Sequence, residues 1–196
     1  MKKRFYGVII NETDRMTRIV KDLLILSRLD CAKMDWKMSW FSLGDSLENV
    51  VCAMDIDAKS HNHQMTLAMP DALPRFYGDR ERIEQVFVNI ISNAIKYTPD
   101  GGKITILAKN DGNKIVISVS DTGIGIPEED IDRVFDRFYR VDKARSRENG
   151  GTGLGLAITK EIVEYHKGTI RMESTLSAGT TVYISFDAVQ DGSDAS

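Results

Sequence analysis

Apolar and polar positions along this chain fall into blocks of helical and of alternating period, separated by clear breaks. From residue 4 to about 30, Phe5, Ile9, Met16, Ile19, Leu23 and Leu26 follow steps of four and three, with Glu12 as the one polar interruption. That spacing predicts a single long helix with a seam for another helix. Val20, Leu24 and Leu29 widen the stripe as a bundle requires. A helix of this length outruns the core of a small domain, so the pattern favours half of a helical hairpin over packing on the chain's own domain. Residues 31–41 then change character: Met34, Trp36, Met38 and Trp40 alternate with polar residues ahead of Phe41, predicting an extended connector or a first strand. Ser42-Leu43-Gly44-Asp45 is a capping-box pattern that opens a helix to about Lys59, with Leu43, Leu47, Val50, Val51 and Met54 on its apolar face.

Gln64 to Ala68 reads as a short strand, and Pro70 and Pro74 bracket a loop. Phe76 and Tyr77 lead to Asp79, a good N-cap for an amphipathic helix reaching Tyr97. Val86, Ile90, Ile91, Ala94 and Ile95 form its buried face, while Glu81, Gln85, Asn89, Asn93 and Lys96 run along another. Thr98 to Gly102 ends it. Strands are expected over Lys103–Lys109 and Lys114–Ser120, joined by the hairpin turn Asn110-Asp111-Gly112-Asn113. Pro127 with Glu128, Glu129 and Asp130 starts a short helix carrying Ile131, Val134, Phe135 and Phe138. A basic, polar segment follows from Arg137 to Asn149. Gly150 to Leu156 opens another helix, which stops near His166-Lys167-Gly168. Thr169–Ser174 and Thr180–Phe186 close the domain as strands, and residues 188–196 are expected to be a disordered tail.

Composition narrows the class. With 196 residues, 42% hydrophobic and 28% charged, the chain suits one globular domain plus an appendage. A net charge of −3 argues against bulk nucleic-acid binding. Cys31 and Cys52 have no metal-ligand spacing around them, which suggests free thiols in a reducing, cytoplasmic setting. No apolar run reaches the length of a membrane span, and Met1-Lys2-Lys3-Arg4 lacks the apolar stretch of a signal peptide.

Three features could carry chemistry. Asn89 and Asn93 place two amides one turn apart beside an apolar core, and a buried amide must be hydrogen-bonded or bind something. The ordinary expectation is a helix-packing amide. Gly150 to Gly155 is a glycine-rich turn entering a helix, where backbone N–H groups and the helix dipole can meet a phosphate. No Gly-Lys-Ser/Thr follows, so it is not a P-loop, and it lacks the preceding strand of a dinucleotide-binding turn. Asp121 sits at a strand end before two glycines. Its carboxylate only accepts hydrogen bonds and so suits an exocyclic amine, though a turn aspartate capping its own backbone is the commoner case.

Together these pieces resemble the catalytic and ATP-binding domain of sensor histidine kinases. Asn89–Tyr97 resembles that family's N box, Asp121–Pro127 the G1 box, Val134–Arg140 the F box and Gly150–Leu156 the G2 box. Four motifs in order over 68 residues are far more specific than any one alone. The run from Asp136 to Arg145 is especially close to the Gram-positive cell-wall-regulating kinases of the WalK/VicK type.

The resemblance implies a fold and a set of roles. The fold is α+β, a two-layer α/β sandwich of the Bergerat ATP-binding type: a mixed sheet with helices on one face, preceded by the long N-terminal helix. Residues 1–30 would be the second helix of a truncated dimerisation and phosphoacceptor hairpin, 31–41 a connector, and 42–187 the catalytic domain. The cofactors implied are ATP and Mg²⁺. Asn93 would ligate the metal and Asn89 would support the same site. Lys96 and Arg140 would contact phosphate, Tyr97 would line the pocket, and Asp121 would read the adenine amine. Gly123 and Gly125 would allow close approach, and Ile126 beside them would also contact the nucleotide. Gly151, Thr152, Gly153, Leu154 and Gly155 would form the phosphate-side turn, and Arg137 to Gly150 a lid docked by Phe135 and Phe138. Ser177 stands where the family commonly has glycine in a late motif, so only Gly179 carries over there.

The reaction implied is transfer of the γ-phosphoryl to a histidine on the dimerisation domain, then onward to an aspartate of a response regulator receiver domain. Related gyrase and heat-shock-chaperone ATPases carry a water-activating glutamate one turn before the metal asparagine. Here Asn89 occupies that position, and an amide cannot serve as a carboxylate base. A gyrase-type ATP-gated clamp, disfavoured by Asn89 and by the dimerisation-like first helix, is the first alternative, and a non-catalytic nucleotide-binding scaffold the second. His61, His63 and His166 all lack the context of the family's phosphoacceptor. The expectation is thus a catalytic fragment of a homodimeric kinase, itself cytoplasmic, from a parent anchored in the cell membrane.

Overall fold

The computed structural model describes residues 2–31, 33–141 and 151–188, the side chains of residues 2–9, 11 and 14 excepted. In chain order the elements are α1 (Lys2–Asp30), β1 (Met38–Ser42), α2 (Leu43–Ser60), β2 (Gln64–Ala68), β3 (Arg75–Asp79), α3 (Arg80–Tyr97), β4 (Lys103–Asp111), β5 (Lys114–Asp121), α4 (Glu128–Ile131), α5 (Gly155–Tyr165), β6 (Thr169–Thr175) and β7 (Gly179–Asp187). A mixed sheet in the order β2-β4-β5-β7-β6 has β2 parallel to β4 and its other pairs antiparallel. Alternate residues of its central strands are buried: Ile104, Ile106 and Ala108 in β4, Ile115, Ile117 and Val119 in β5. That single buried face meets α2, α3 and α5, with α3 between the other two. The expected two-layer α+β sandwich with helices on one face is what the chain forms.

The β1–β3 ribbon departs from expectation. Arg75–Asp79 reads as a lead-in to a helix, yet it pairs antiparallel with β1, Trp40 opposite Tyr77 and Phe41 opposite Phe76. A five-residue strand ending in Gly-Asp carries too little alternation to be seen alone, and its partner lies far upstream. The short helix after Pro127 ends at Ile131. Beyond it Val134 is buried, but Phe138 is 60% exposed at φ +63°. Phe138 therefore does not dock on the core as expected, and Val134, though buried, lies outside the main core cluster. Of the expected tail, Ala188 is bonded through its N–H to the Asn113 carbonyl, and residues 189–196 lie outside the described range, as do residues 142–150 of the expected lid.

α1 presents two different faces. Arg15, Ile19, Asp22, Leu26 and Leu29, at steps of three and four, are buried or half-buried, with Leu26 in the main core. Met16, Val20, Leu23 and Leu24 are exposed. The expected seam is thus split: Leu26 enters the core and Ile19 is half-buried, whereas Met16 and Leu23 are exposed; the side chains of Phe5 and Ile9 lie outside the described residues.

Asp79 ties α3 to its surroundings. Its Oδ1 accepts from Arg82 N–H at 3.2 Å, and its Oδ2 accepts from Lys37 N–H in the connector at 2.9 Å. Its own N–H donates to His166 Nε2 at 3.0 Å, while His166 Nδ1 donates to the Ile162 carbonyl at 2.8 Å. These partners require a neutral imidazole, and burial pushes the His166 pKa down, partly offset by the Ile162 carbonyl and the Asp79 carboxylate. A depressed folded pKa means the stabilisation is complete above the unfolded value of 6.5 and is lost as pH falls below it toward the folded pKa. Between pH 7 and 5 the chain should lose up to about 1.4 kcal/mol per pH unit through this group. Urea titrations check this: the difference in stability between wild type and His166→Gln should shrink as pH drops through that window. A constant difference refutes it.

Ser177 lies between β6 and β7 at φ +64°, the region that penalises a side chain. Its N–H donates to the Ile124 carbonyl at 2.7 Å, which holds the conformation in place. Ser177→Gly should raise stability by about 0.5–1 kcal/mol, the relief of strain outweighing the entropy glycine adds to the unfolded chain. Thermal unfolding monitored by circular dichroism measures it.

Candidate nucleotide-binding site

The two amides on α3 behave differently. Asn89 Nδ2 donates to the Gly155 carbonyl and to Thr159 Oγ1, both at 3.3 Å, pinning α3 to the first turn of α5. The side chain of Asn93, one turn on and half-buried, makes no hydrogen bond to any described residue. The helix-packing role expected of a buried amide is thus filled at Asn89 and vacant at Asn93. Lys96 continues the same face. Burial, then the charges of Arg140 and Arg18, lower its pKa, so its ammonium is short of favourable partners. An anion between Lys96 and Arg140 would relieve that cost. The Lys96 ammonium also lies 5.0 Å from the centre of the Tyr97 ring.

The loop after β5 is fastened at both ends. Asp121 Oδ1 accepts from Gly123 N–H at 2.8 Å and from Thr180 N–H at 3.3 Å. Burial raises the Asp121 pKa, and those two N–H donors pull it back. Ile124 N–H donates to the Tyr97 carbonyl at 3.1 Å, joining the loop to the end of α3, and Ile126 N–H donates to Ser174 Oγ at 2.8 Å. Gly125 has φ +66°, and a Cβ there would collide with the Thr175 carbonyl. Gly179, at φ +119°, leaves no room for a Cβ against the Asp121 carbonyl. Any side chain at either site would push the loop off the strand ends.

Gly151 lies where a Cβ would stand 3.0 Å from Lys96 Nζ and 3.6 Å from Arg140 Nη2. Thr152 Oγ1 accepts from Leu154 N–H at 3.2 Å. Gly153 accepts at its carbonyl from Phe138 N–H at 2.9 Å, tying the turn to the F-box segment. Leu154 is fully buried. The structure therefore brings together Asn89, Asn93, Lys96 and Tyr97 of α3, Asp121 to Ile126, Arg140, and Gly151 to Gly155. Gly150, Lys143, Arg145 and Arg147 lie outside the described residues.

The donor set fits a magnesium nucleotide. One unpaired amide oxygen is a hard ligand of the kind Mg²⁺ accepts when phosphates and waters complete its shell. Among the described residues no cluster of three or more His, Cys, Asp or Glu could hold a metal by itself. Lys96 and Arg140 place two cations beside Gly151, and Asp121 Oδ2 is bonded to no described residue.

Some participants gave no sequence signal. Ser174 and Thr180, which brace the Asp121 loop, are ordinary strand residues by pattern. Asp22 of α1 accepts from the Thr152 hydroxyl at 2.9 Å across 130 residues, and Arg18 acts on Lys96 from the same helix. Neither has a local motif.

The sequence and the fold recur in known proteins. Residues 78–190 match the family described as histidine kinase-, DNA gyrase B- and HSP90-like ATPases. The sensor histidine kinase WalK of Bacillus subtilis (strain 168) is 44% identical over 181 residues, 91% of this chain and 30% of that protein. Full-length ShkA in complex with AMPPNP superposes with a TM-score of 0.79 at 25% identity, covering 96% of this chain and 40% of that one. Histidine kinase ThkA in complex with the response regulator TrrA gives 0.76 at 26% identity, covering 96% and 52%. The chain spans about a third of the length of the Bacillus protein it matches. None of the described helices is long and apolar enough to cross a membrane. With its fold, its four motifs in one place and these relatives, the chain belongs to the histidine kinase-, DNA gyrase B- and HSP90-like ATPases, as the catalytic and ATP-binding domain of a sensor histidine kinase.

Proposed function

We propose that this chain binds Mg·ATP between α3, the Asp121–Ile126 loop and the Gly151–Gly155 turn, and transfers the γ-phosphoryl group to a histidine on a separate dimerisation segment. The observation that carries this reading is the contrast along α3. Asn89 offers no carboxylate and its amide is spent on α5, so nothing at that position activates water. The Asn93 side chain is bonded to no described residue and is aligned with Lys96 on one face. Phosphoryl transfer relies on positioning and charge stabilisation, which Asn93, Lys96 and Arg140 would supply. Bound Mg²⁺ would neutralise charge on the phosphates.

None of the chain's histidines suits the acceptor role. His61 is exposed and faces Asp100, while His63 and His166 are buried. α1, with Met16, Val20, Leu23 and Leu24 exposed on one face, fits the second helix of a dimerisation hairpin in a homodimeric, membrane-anchored parent. The phosphoryl group would then pass to a response regulator receiver domain. Mixing the chain with γ-labelled ATP and a separately made hairpin domain tests the proposal. Label should appear on histidine of the hairpin and not on this chain, with ATP hydrolysis far slower than transfer. ATP turnover at the rate of a working ATPase would refute the role given to Asn89.

A further inference from the structure

α1 meets the rest of the chain at the nucleotide site itself. Along α1 Asp22, Leu26 and Asp30 fall at steps of four. Leu26 enters the core. Asp30 accepts from both Nη1 and Nη2 of Arg137, at 2.7 and 2.6 Å, and Arg137 also donates to Glu161 of α5 at 3.2 Å. Asp22 accepts from the Thr152 hydroxyl at 2.9 Å, and that hydroxyl accepts from Leu154 N–H at 3.2 Å. A chain of two hydrogen bonds thus runs from α1 to a backbone N–H of the glycine-rich turn. A hydroxyl that donates to a carboxylate is a better acceptor, so Asp22 strengthens Thr152's hold on Leu154. Backbone N–H groups of such a turn are the donors a phosphate needs.

Resting on the nucleotide reading above, we propose that Asp22 is a positioning residue that locks the Gly151–Gly155 turn through Thr152, so that docking of α1 and binding of nucleotide phosphates oppose each other. The coupling runs through the hydrogen bond and not through charge, because the Thr152 hydroxyl does more than Arg18 to offset the cost of burying the Asp22 carboxylate. Reciprocity follows from linkage: if docking weakens nucleotide binding, nucleotide must loosen docking by the same factor.

Hydrogen exchange over residues 19–30 of the intact chain, with and without saturating Mg·ATP, tests this without any variant. Nucleotide should speed exchange there. Unchanged or slower exchange overturns the inference. In parallel, Asp22→Ala should tighten Mg·ATP binding about fivefold or more, within the usual range of coupling between sites, and abolish the nucleotide's effect on exchange. Asp22→Asn keeps an acceptor for the Thr152 hydroxyl and should stay within about twofold of wild type, against that same scale. Equal tightening in Asp22→Asn and Asp22→Ala would put the effect in charge and overturn the hydrogen-bond relay. Should Mg·ATP fail to bind at all, the nucleotide reading falls and takes this inference with it. Binding without any change in α1 sinks this inference alone.

Discussion

Replacing Asn93 with alanine should cut phosphoryl transfer to a separate hairpin domain by a factor of about 10² to 10⁴, while leaving the unfolding midpoint nearly unmoved. The first figure reflects the several kcal/mol that a correctly held metal contributes to stabilising charge in the transition state. The second follows from the hydrogen-bond inventory. The Asn93 side chain makes no hydrogen bond to any described residue, so truncation strands no buried partner. Asn89→Ala should behave in the opposite way. It removes the donor to the Gly155 carbonyl and Thr159 Oγ1, and should cost about 1–2 kcal/mol of stability. Asn93→Asp keeps an oxygen at the metal position and should recover part of the transfer activity. Transfer rates and urea midpoints on the three variants separate the roles. An Asn93→Ala chain that transfers phosphoryl at the wild-type rate would remove the metal assignment.

That contrast was only half legible in the sequence. The helix carrying both amides follows from its period and its Asp79 cap, and the caps at Ser42 and Asp79 form as read. β2 runs over the same residues that its local alternation predicts. Which amide is spent and which is spare depends on where α5 lands, and Gly155 lies 66 residues from Asn89. The same limit explains β3 and α1. A strand of five residues needs its partner to be recognised. A helix with apolar residues on two sides does not say which side its own domain will take, and here the polar residues Arg15 and Asp22 joined Ile19 and Leu26 on the inner face. Local period reports amphipathicity, whereas assignment of a face needs the tertiary partner.

Asp121→Asn should invert base preference more than it weakens the fold. In the wild-type chain Asp121 Oδ1 is taken by Gly123 and Thr180 N–H groups, and the remaining carboxylate oxygen can only accept. Such a site favours the adenine amine and repels a carbonyl oxygen at the same position. An asparagine keeps one oxygen for the two backbone donors and presents its NH₂ group to the base instead. The amine of ATP then meets a donor, while the carbonyl of ITP meets a hydrogen bond. Discrimination by a polar group matched or mismatched to a buried partner reaches about 10⁴ where water is fully excluded. Asp121 is only half-buried, so a ratio of about 10² is the reasonable scale. Competition binding with ATP and ITP should show wild type preferring ATP by about that factor, and Asp121→Asn losing or reversing the preference. Asp121→Ala, by contrast, strands both N–H donors and should unfold at lower denaturant by about 2–4 kcal/mol. An Asp121→Asn chain that keeps full preference for ATP would show that the base is read elsewhere and that Asp121 serves only to fasten its loop.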